Sequence, residues 1–484
     1  MPSLLARRGK GLDAQRSLLL ALAQASPALS PALRAFILSY ATVVGPRIFN
    51  IVIRVTRHHN RARQLPVAVK HVLLSALAIN ELPIFWAALL ASSVSLSKLT
   101  ESIVRYITKS SKHTRLSAFI AAMIASGYTL RWHQNLIRRT PAVQKEEEVP
   151  TDRPVKHEHE RGRTIDNTLF VFSSAIDYLF RHSLAVASAK RKVPDIVTID
   201  LYTFVMSSAV VMYAWFYYPS RLPRSYNHWI TKFADMDTNL LEALRKIKSG
   251  EIVYGKDTGQ AHLLEEGCAK VGLPIEYGDP AKTVPIPCEL VHANSTKNCE
   301  LHAAWRFSRA FKSAFLIYAP LNLILLLRRG RLDRRKALIQ ALLSSCRSAS
   351  FLGMFVALSW YSVCFTRSRI GKYVFPKIHP TKWDNTLGPA LGCLMCGWSI
   401  VLELPQRRGD LALFVAPRAL GAFFPTDFDR FHRYVERVVF SAAYAVVFSA
   451  AFSASVVRDG RDVKLRGVFG NAMMAVLGRR RKGL

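Results

Sequence analysis

Apolar runs of membrane-spanning length alternate with basic clusters along most of this 484-residue chain. A helix that crosses a bilayer needs about 20 mostly apolar residues. In the first half of the chain, runs approaching this length cover 32–53, 66–97, 115–131, 167–189 and 201–219. In the second half they cover 311–327, 337–365, 387–404, 411–425 and 435–457. Because several runs are short or interrupted by proline, we expect roughly eight to ten spans and an all-α, polytopic helical membrane protein.

The basic residues stand mainly at the ends of these apolar runs. The formal net charge is +34 although 50% of the residues are hydrophobic, a combination that is unusual in soluble domains. A nucleic-acid binder would gather the positive charge on one face of a soluble fold, whereas here it flanks the runs, as at 54–63, 105–115 and 131–139. Basic flanks are held on the negative side of a membrane and contact anionic head groups. The sequence therefore predicts a lipid bilayer and its head groups as partners, and no nucleic acid.

Two apolar runs, 115–131 and 387–404, carry small residues at every fourth position. At every fourth position these are Ala118, Ala122 and Ser126 in the first run, and Gly388, Gly392 and Cys396 in the second; Gly127 and Gly397 directly follow. Within a bilayer, helices associate by close backbone approach across such small-residue faces. Glycine and alanine are also simply common in membrane helices, but two matching stripes favour helix packing.

The two halves of the chain resemble each other in the same order. Besides the small-residue runs, the matching segments are 35–40 with 314–318, 169–180 with 413–424, and 205–209 with 439–443. We therefore predict two internally repeated halves of four to five spans each, at 31–231 and 306–458. Duplicated membrane halves often carry a solute pathway between them.

Four other segments complete the predicted domain organisation. Residues 1–30 form a basic amphipathic lead-in, and 141–166 form a disordered charged loop inside the first repeat. Residues 232–305 form a soluble connector, and 459–484 form a basic tail. An apolar stripe within the connector (Met236, Leu240, Leu241, Leu244 and Ile247) predicts a short helix. This helix lies either on the membrane surface or on the protein itself.

The connector ends in a Cys/His segment that contains Cys288, His292, Cys299 and His302. Four thiol and imidazole side chains this close together could close a tetrahedral zinc site, although their spacing is not that of a common zinc finger. A Cys288–Cys299 disulfide and simple packing are the alternatives. We therefore predict no certain cofactor, with a structural zinc as the candidate. The cysteines interpreted as small packing residues are Cys364, Cys393 and Cys396.

Two acidic residues, Glu81 and Asp177, interrupt apolar runs of the first half. A charge within lipid costs a few kcal/mol or more, so such residues are candidates for a polar path. The alternative is that each pairs with a nearby arginine, such as Arg47 or Arg181. The sequence contains no nucleotide-binding loop, nucleophile elbow or zincin helix. We therefore predict no catalytic residues and a protein that is not an enzyme.

Several stretches of both halves resemble the transmembrane protein 135 family. The cysteine segment 288–299 leads into 311–324, and further similar stretches are 174–181, 193–198, 222–229, 348–352 and 371–376. Familiar members carry the cysteine-rich segment at the N-terminus, whereas here it lies in mid-chain. The small-residue helices are similar, more weakly, to those of the inner-membrane translocase family of Tim17, Tim22 and Tim23.

The resemblance implies an integral membrane protein of the peroxisome or mitochondrion that influences lipid metabolism and organelle dynamics. Two functional hypotheses stay open. In the first, the protein moves a lipid-like or small anionic solute between its two halves. In the second, it is a translocase-like scaffold whose basic loops recruit partner proteins.

Overall fold

The computed structural model describes residues 29–57, 65–109, 113–139, 164–188, 196–293, 295–327, 334–371, 373–424, 429–456 and 465–477. All regular structure in these ranges is helical, which confirms the predicted all-α fold. The predicted lead-in (1–30) lies almost entirely outside the described residues, as does most of the charged loop (141–166).

The long helices follow the predicted apolar runs, and shorter helices lie between them. The first six are α1 (Leu29–Arg57), α2 (Leu65–Ser75), α3 (Leu82–Thr108), α4 (Thr114–Arg139), α5 (Ile165–Ser188) and α6 (Ile196–Tyr217). The shorter helices that follow are α7 (Arg224–Ala234), α8 (Thr238–Ser249), α9 (His262–Val271) and α10 (Cys288–Val291). The last six are α11 (Cys299–Leu327), α12 (Arg334–Phe365), α13 (Gly388–Cys396), α14 (Pro405–Gly421), α15 (Arg430–Val456) and α16 (Gly467–Leu477).

Proline divides the apolar run 66–97 into two helices. Pro83 lies in the first turn of α3, where its missing N–H costs no intrahelical hydrogen bond. By contrast, Pro46 and Pro320 lie inside α1 and α11, which continue past them.

Five helical segments among the described residues are long and apolar enough to cross a membrane. They are Leu82–Thr108, Thr198–Tyr217, Arg335–Gly371, Pro380–Leu402 and Arg430–Ser455. These segments support an integral membrane protein. The other predicted runs also form helices, but length and composition do not single them out as spans within the described residues. The predicted number of eight to ten spans stays a prediction.

One compact unit, called unit 1, comprises Met1–Lys192 and Asp427–Leu484. In it α1 packs on α3, α3 packs on α4, and α15 packs against both α4 and α5. The core contains an aromatic ladder on α15, where Phe440, Tyr444 and Phe448 stack with ring centroids 5.9 Å and 5.7 Å apart.

The helix α16 lies inside the stretch 459–484, which the sequence analysis interprets as a basic tail. Its Met473 and Val476 are buried in the core of unit 1, and α16 packs against α15, α1 and α5. The apolar residues of α16 therefore form a packed helix within the stretch predicted as a basic tail.

The second compact unit, unit 2, comprises Val193–Thr426. In it α11 packs on α12, α12 packs on α13, and α6 packs against both α13 and α14. These contacts repeat those of unit 1 when α11, α12, α13, α14 and α6 are matched in turn with α1, α3, α4, α5 and α15. The helix α6 belongs to the first predicted repeat and α15 to the second, so the compact units cut across the boundaries 31–231 and 306–458.

The predicted connector folds onto unit 2. Asp237 caps α8 by accepting hydrogen bonds from the backbone N–H groups of Asn239 and Leu240. Of the apolar stripe, Leu240, Leu241 and Ile247 are buried and Met236 and Leu244 are half-buried. Leu240 and Ile247 share a core with Trp360 of α12. The structure therefore shows α8 packed on the protein, which is the second of the two alternatives predicted from the sequence.

Candidate functional site: a buried Cys/His cluster beside an apolar cavity

The predicted small residues lie at close helix contacts. In unit 1, Ala118, Ala122 and Ser126 are fully buried. In unit 2, a Cβ atom at Gly392 would stand 2.8 Å from the Ser359 carbonyl oxygen on α12, and one at Gly397 would stand 2.7 Å from Val205 Cα on α6.

Three other small residues belong to the same set. A Cβ atom at Gly127 would stand 3.3 Å from Ser441 Oγ on α15. Gly388 and Cys396 are both buried on α13. A side chain at Gly392 or Gly397 would therefore meet backbone of a neighbouring helix, whereas one at Gly127 would meet only a rotatable hydroxyl group.

Both acidic residues that were candidates for a polar path form ion pairs. Glu81 precedes α3 and lies 3.7 Å from the Arg47 guanidinium. Asp177 on α5 accepts a hydrogen bond of 2.7 Å from Arg181 Nε. These are the pairings that the sequence analysis gives as the alternative, and the polar path stays a prediction.

A cavity of about 490 Å³ lies within unit 2, between α6, the short helices α7 and α8, and the helices α11, α12 and α14. Its walls are almost entirely apolar and rich in aromatic rings. Its larger lining side chains include Phe204, Met212, Trp215, Trp229, Phe233, Phe351, Phe355, Trp360 and Phe414. Cavities of this size and composition are typical of small-molecule sites.

A buried ion pair lies at one part of the cavity wall. Arg367 Nε contacts Asp384 Oδ1, and both side chains are less than a tenth exposed. Arg367 also donates a hydrogen bond to the Ile286 carbonyl oxygen, and the Tyr254 hydroxyl group donates one of 2.6 Å to Asp384 Oδ2. Burial, with the Asp384 carboxylate beside it, raises the pKa of Tyr254, so this phenol remains a donor.

Arg367 and Asp384 both lie in π-helical turns, Thr366–Gly371 after α12 and Trp383–Leu387 before α13. Such turns interrupt the regular helical hydrogen bonds and occur often at functional sites. These two turns bring the side chains of Arg367 and Asp384 into contact beside Tyr254 and Ile286 of the connector.

Several lining residues of the cavity are also partly exposed. Trp229, Ile317 and Phe414 are 42%, 48% and 39% exposed, and we call these three the mouth residues. The Arg418 guanidinium carbon lies 3.9 Å from the Phe414 ring centroid and 4.8 Å from that of Tyr226. A cation therefore stands beside an apolar opening.

A cluster of cysteine and histidine side chains lies close to the cavity, with His292 and Cys364 buried and Cys288 and Cys299 half-buried. His292 Nε2 lies 3.3 Å from Cys364 Sγ. The ligand atoms of His292, Cys299 and Cys364 all lie within 4.8 Å of one another. The Cys288 thiol interacts with the Cys299 thiol, and burial raises the pKa of Cys288. We call these four residues the Cys/His cluster.

The cluster differs from the predicted ligand set in one member. Cys364, interpreted from sequence as a packing residue, faces His292. All seven cysteines lie in the described residues and are free thiols, so no disulfide joins Cys288 to Cys299.

His302, the fourth predicted ligand, lies beside the cluster with both ring nitrogens engaged. Arg306 Nε donates to its Nε2 at 3.2 Å. Its Nδ1 therefore carries the proton and donates to Ser295 Oγ at 3.0 Å. Burial lowers the pKa of His302 to about 3, so the ring is neutral. Its ring stacks on His292 with centroids 4.1 Å apart.

Sequence reasoning missed the partners that come from distant segments. Cys364, Arg367 and Asp384 lie at the ends of apolar runs, where thiols usually pack and charges usually meet head groups. Tyr254 lies in a loop of the connector. No local spacing links any of them to Cys288 or His292. The signal that could have found them is the concentration of thiol and charged side chains at the end of α12 and in the segment between α12 and α13.

Residues 285–427 match the family model for the N-terminal cysteine-rich region of Transmembrane protein 135. The match supports the predicted resemblance to that family, and it covers a little under a third of the chain. It contains the whole Cys/His cluster, the buried ion pair and the helices α11 to α14. The region that the family description places at the N-terminus lies here after α9. The weaker similarity to Tim17, Tim22 and Tim23 stays a prediction. Comparisons with curated proteins and with solved structures give no match.

Proposed function

We propose that this integral membrane protein, similar over residues 285–427 to the transmembrane protein 135 family, binds the acyl chain of an anionic lipid in the cavity of unit 2. The observation that carries the proposal is the apolar cavity of about 490 Å³, which lies within the range of about 300–1,000 Å³ that small-molecule sites occupy. Its aromatic and aliphatic walls suit a hydrocarbon chain and offer few partners to a polar solute.

The mouth residues and Arg418 support an anionic head group. An acyl chain that leaves the bilayer exchanges one apolar environment for another, so its burial alone gives little selectivity. The mouth residues present apolar surface, and Arg418 stands over the Phe414 ring beside them. A guanidinium next to an apolar opening matches a lipid that joins a carboxylate or phosphate to a hydrocarbon chain.

The proposal extends to the biological role that the family resemblance implies. The protein would act without chemical conversion of the lipid, in a peroxisomal or mitochondrial membrane, and would influence lipid metabolism and organelle dynamics. The cavity is lined by α6 from the first predicted repeat and by α11, α12 and α14 from the second. This arrangement agrees with a lipid-like solute held between helices of both repeats.

We also propose that the two units descend from one duplicated bundle that exchanged its last helix. What supports this is the common packing order: α1, α3, α4, α5 and α15 in unit 1, and α11, α12, α13, α14 and α6 in unit 2. The four sequence matches pair the same helices. Exchange of α6 and α15 explains why the compact units do not coincide with the predicted repeats.

Energy transfer from tryptophan to a polyene fatty acid tests lipid binding in the purified full-length protein. Trp215, Trp229 and Trp360 line the cavity, so a fatty acid bound there would accept their excitation. We expect saturable binding at about one fatty acid per chain, since one cavity of this size holds one chain. The variant Ala314→Phe places a ring in the cavity from α11, and we expect it to weaken binding about tenfold or more.

Two comparisons make the test specific. The matched control is Ala304→Phe on the same helix, where the side chain is exposed and lies outside the cavity lining; its binding should equal that of the parent. The variant Arg418→Gln should weaken binding of the fatty acid by roughly tenfold, because a charged hydrogen bond contributes about 1.5–3 kcal/mol. It should leave binding of the corresponding fatty alcohol unchanged.

Equal fatty-acid binding by Ala314→Phe and Ala304→Phe, in protein shown to be folded, would place the lipid outside the cavity. Absence of binding altogether would overturn the proposal and favour the scaffold hypothesis, in which basic loops recruit partner proteins.

A further inference from the structure

We infer that Cys288, His292, Cys299 and Cys364 hold a zinc ion that fastens the connector to two long helices of unit 2. Cys288 begins α10 and His292 follows its last residue, so both belong to the connector. Cys299 is the first residue of α11, and Cys364 is the penultimate residue of α12. The ion would join three segments that no disulfide connects.

The distances fit tetrahedral coordination. Zinc binds thiolate sulfur at about 2.3 Å and imidazole nitrogen at about 2.0–2.1 Å, which places the two ligand atoms about 3.5 Å apart at a tetrahedral angle. His292 Nε2 and Cys364 Sγ lie 3.3 Å apart. Cys299 completes a triangle of ligand atoms within 4.8 Å, and small side-chain rotations would bring these three atoms to bonding distance. The Cys288 thiol interacts with the Cys299 thiol and would supply the fourth ligand.

The His292 ring presents the correct nitrogen. Its Nδ1 lies 2.8 Å from the Thr296 carbonyl oxygen. A carbonyl only accepts, so Nδ1 carries the proton and Nε2 directs its lone pair at the cluster. Histidine ligands of metals in proteins are regularly held in this way, with the second nitrogen donating to a carbonyl or carboxylate oxygen. The surroundings of His292 therefore provide the outer hydrogen bond that a zinc ligand needs.

The types of ligand atom in the cluster favour zinc. Three thiols and one imidazole form the soft, tetrahedral set that zinc prefers, and a set of four protein ligands leaves no open position for a substrate. The thiols would release their protons to solvent when the ion binds. Three thiolates and Zn²⁺ together carry one negative charge. The Arg367 guanidinium, which is paired with Asp384, also acts electrostatically on Cys288 and Cys364. We therefore assign the site a structural role, independent of lipid binding in the cavity.

Metal analysis of the purified full-length protein tests the inference. We expect about one zinc per chain, and cobalt substituted for it should give the visible absorption bands of tetrahedral cobalt–thiolate coordination. The variants Cys299→Ser and Cys364→Ser should each lower zinc affinity by at least about tenfold, since even outer-shell partners of a metal ligand contribute about 10–100-fold.

Two controls distinguish ligands from neighbours. Cys346→Ser changes a half-buried cysteine on α12 that lies outside the cluster. His302→Gln changes the histidine that stacks on His292 but has both nitrogens engaged. Both variants should keep about one zinc per chain, as expected for residues outside a closed four-ligand site.

A measurement on the unmodified protein covers the case in which ligand variants fail to fold. Chelation should make Cys288, Cys299 and Cys364 react faster with an alkylating reagent, whereas Cys346 should react at the same rate before and after. The inference is overturned if the folded protein carries no zinc and binds none when it is added. It is equally overturned if Cys288 and Cys299 are recovered as a disulfide, or if Cys364→Ser retains the metal with parent affinity.

Discussion

A single methyl group at Gly397 tests how closely α13 approaches α6. Gly397 directly follows α13 and has φ −62° and ψ −26°, a right-handed helical conformation that alanine adopts without strain. Any loss of stability in Gly397→Ala must therefore come from contacts in the folded state. The new Cβ atom would lie 2.7 Å from Val205 Cα and 3.2 Å from the Val205 carbonyl oxygen. Because both are backbone atoms of a packed helix, the helices themselves would have to separate.

The magnitude follows from two opposing effects. Overpacking of a well-packed interior costs about 1–3 kcal/mol. Replacing glycine by alanine at a compatible backbone conformation stabilises by about 0.4–1 kcal/mol, because the unfolded chain loses freedom. We therefore expect Gly397→Ala to lower the free energy of unfolding by about 1–2 kcal/mol.

Gly127→Ala is the matched control, since Gly127 occupies the corresponding position of the other small-residue run. Its Cβ atom would meet only Ser441 Oγ at 3.3 Å, and a hydroxyl group can rotate away. We expect a change between zero and a gain of about 1 kcal/mol. Unfolding by titration of denaturing detergent in mixed micelles, followed by tryptophan fluorescence, measures both variants. Equal stability of the two would refute the close approach of α13 and α6.

Three further predictions concern the charged groups and the Cys/His cluster. Asp384→Asn should lower the free energy of unfolding by about 3–5 kcal/mol, because it leaves the Arg367 charge buried without its partner. In the same detergent titration, the double variant Arg367→Met, Asp384→Leu should recover most of this loss. A double variant as unstable as Asp384→Asn would contradict the pairing. Glu81→Gln should change the free energy of unfolding by less than about 1 kcal/mol, because the ion pair of Glu81 with Arg47 is partly exposed. Failure of this variant to insert and assemble, judged by gel filtration, would contradict so small an effect. Chelation of zinc should increase the rate of backbone hydrogen exchange in the connector segment 284–298. An unchanged exchange rate would argue against a structural role of the metal.

Much of the fold follows from local sequence patterns. Apolar runs with basic ends locate the long helices, because a bilayer demands about 20 apolar residues and head groups retain positive charge. The small-residue runs place Gly392 and Gly397 where a Cβ atom would collide with a neighbouring helix. The apolar period of 236–247 locates α8, although only the structure shows that its stripe packs on the protein.

The rest of the fold and of the candidate site depends on contacts between segments that are far apart in the chain. Such contacts produce no periodic pattern in the sequence. His292 and Cys364 are 72 positions apart, and Tyr254 and Asp384 are 130 apart. The packing of α6 on α13 and α14, and of α15 on α4 and α5, is equally invisible, because these helices lie far from their partners in the chain. The prediction of His302 as a ligand rests on proximity in sequence, whereas in the structure the chain turns so that Arg306 and Ser295 engage both of its nitrogens.

Photo-crosslinking with a fatty acid that carries a diazirine near its methyl end tests acyl-chain binding most directly. The full-length protein would be irradiated in bilayers, digested, and the labelled residues located by mass spectrometry. Lipid in the cavity should label inward residues such as Phe204 and Phe351, and Ala314→Phe should abolish that labelling. Labelling confined to the exposed Leu316 and Leu323, and unchanged by Ala314→Phe, would contradict acyl-chain binding in the cavity.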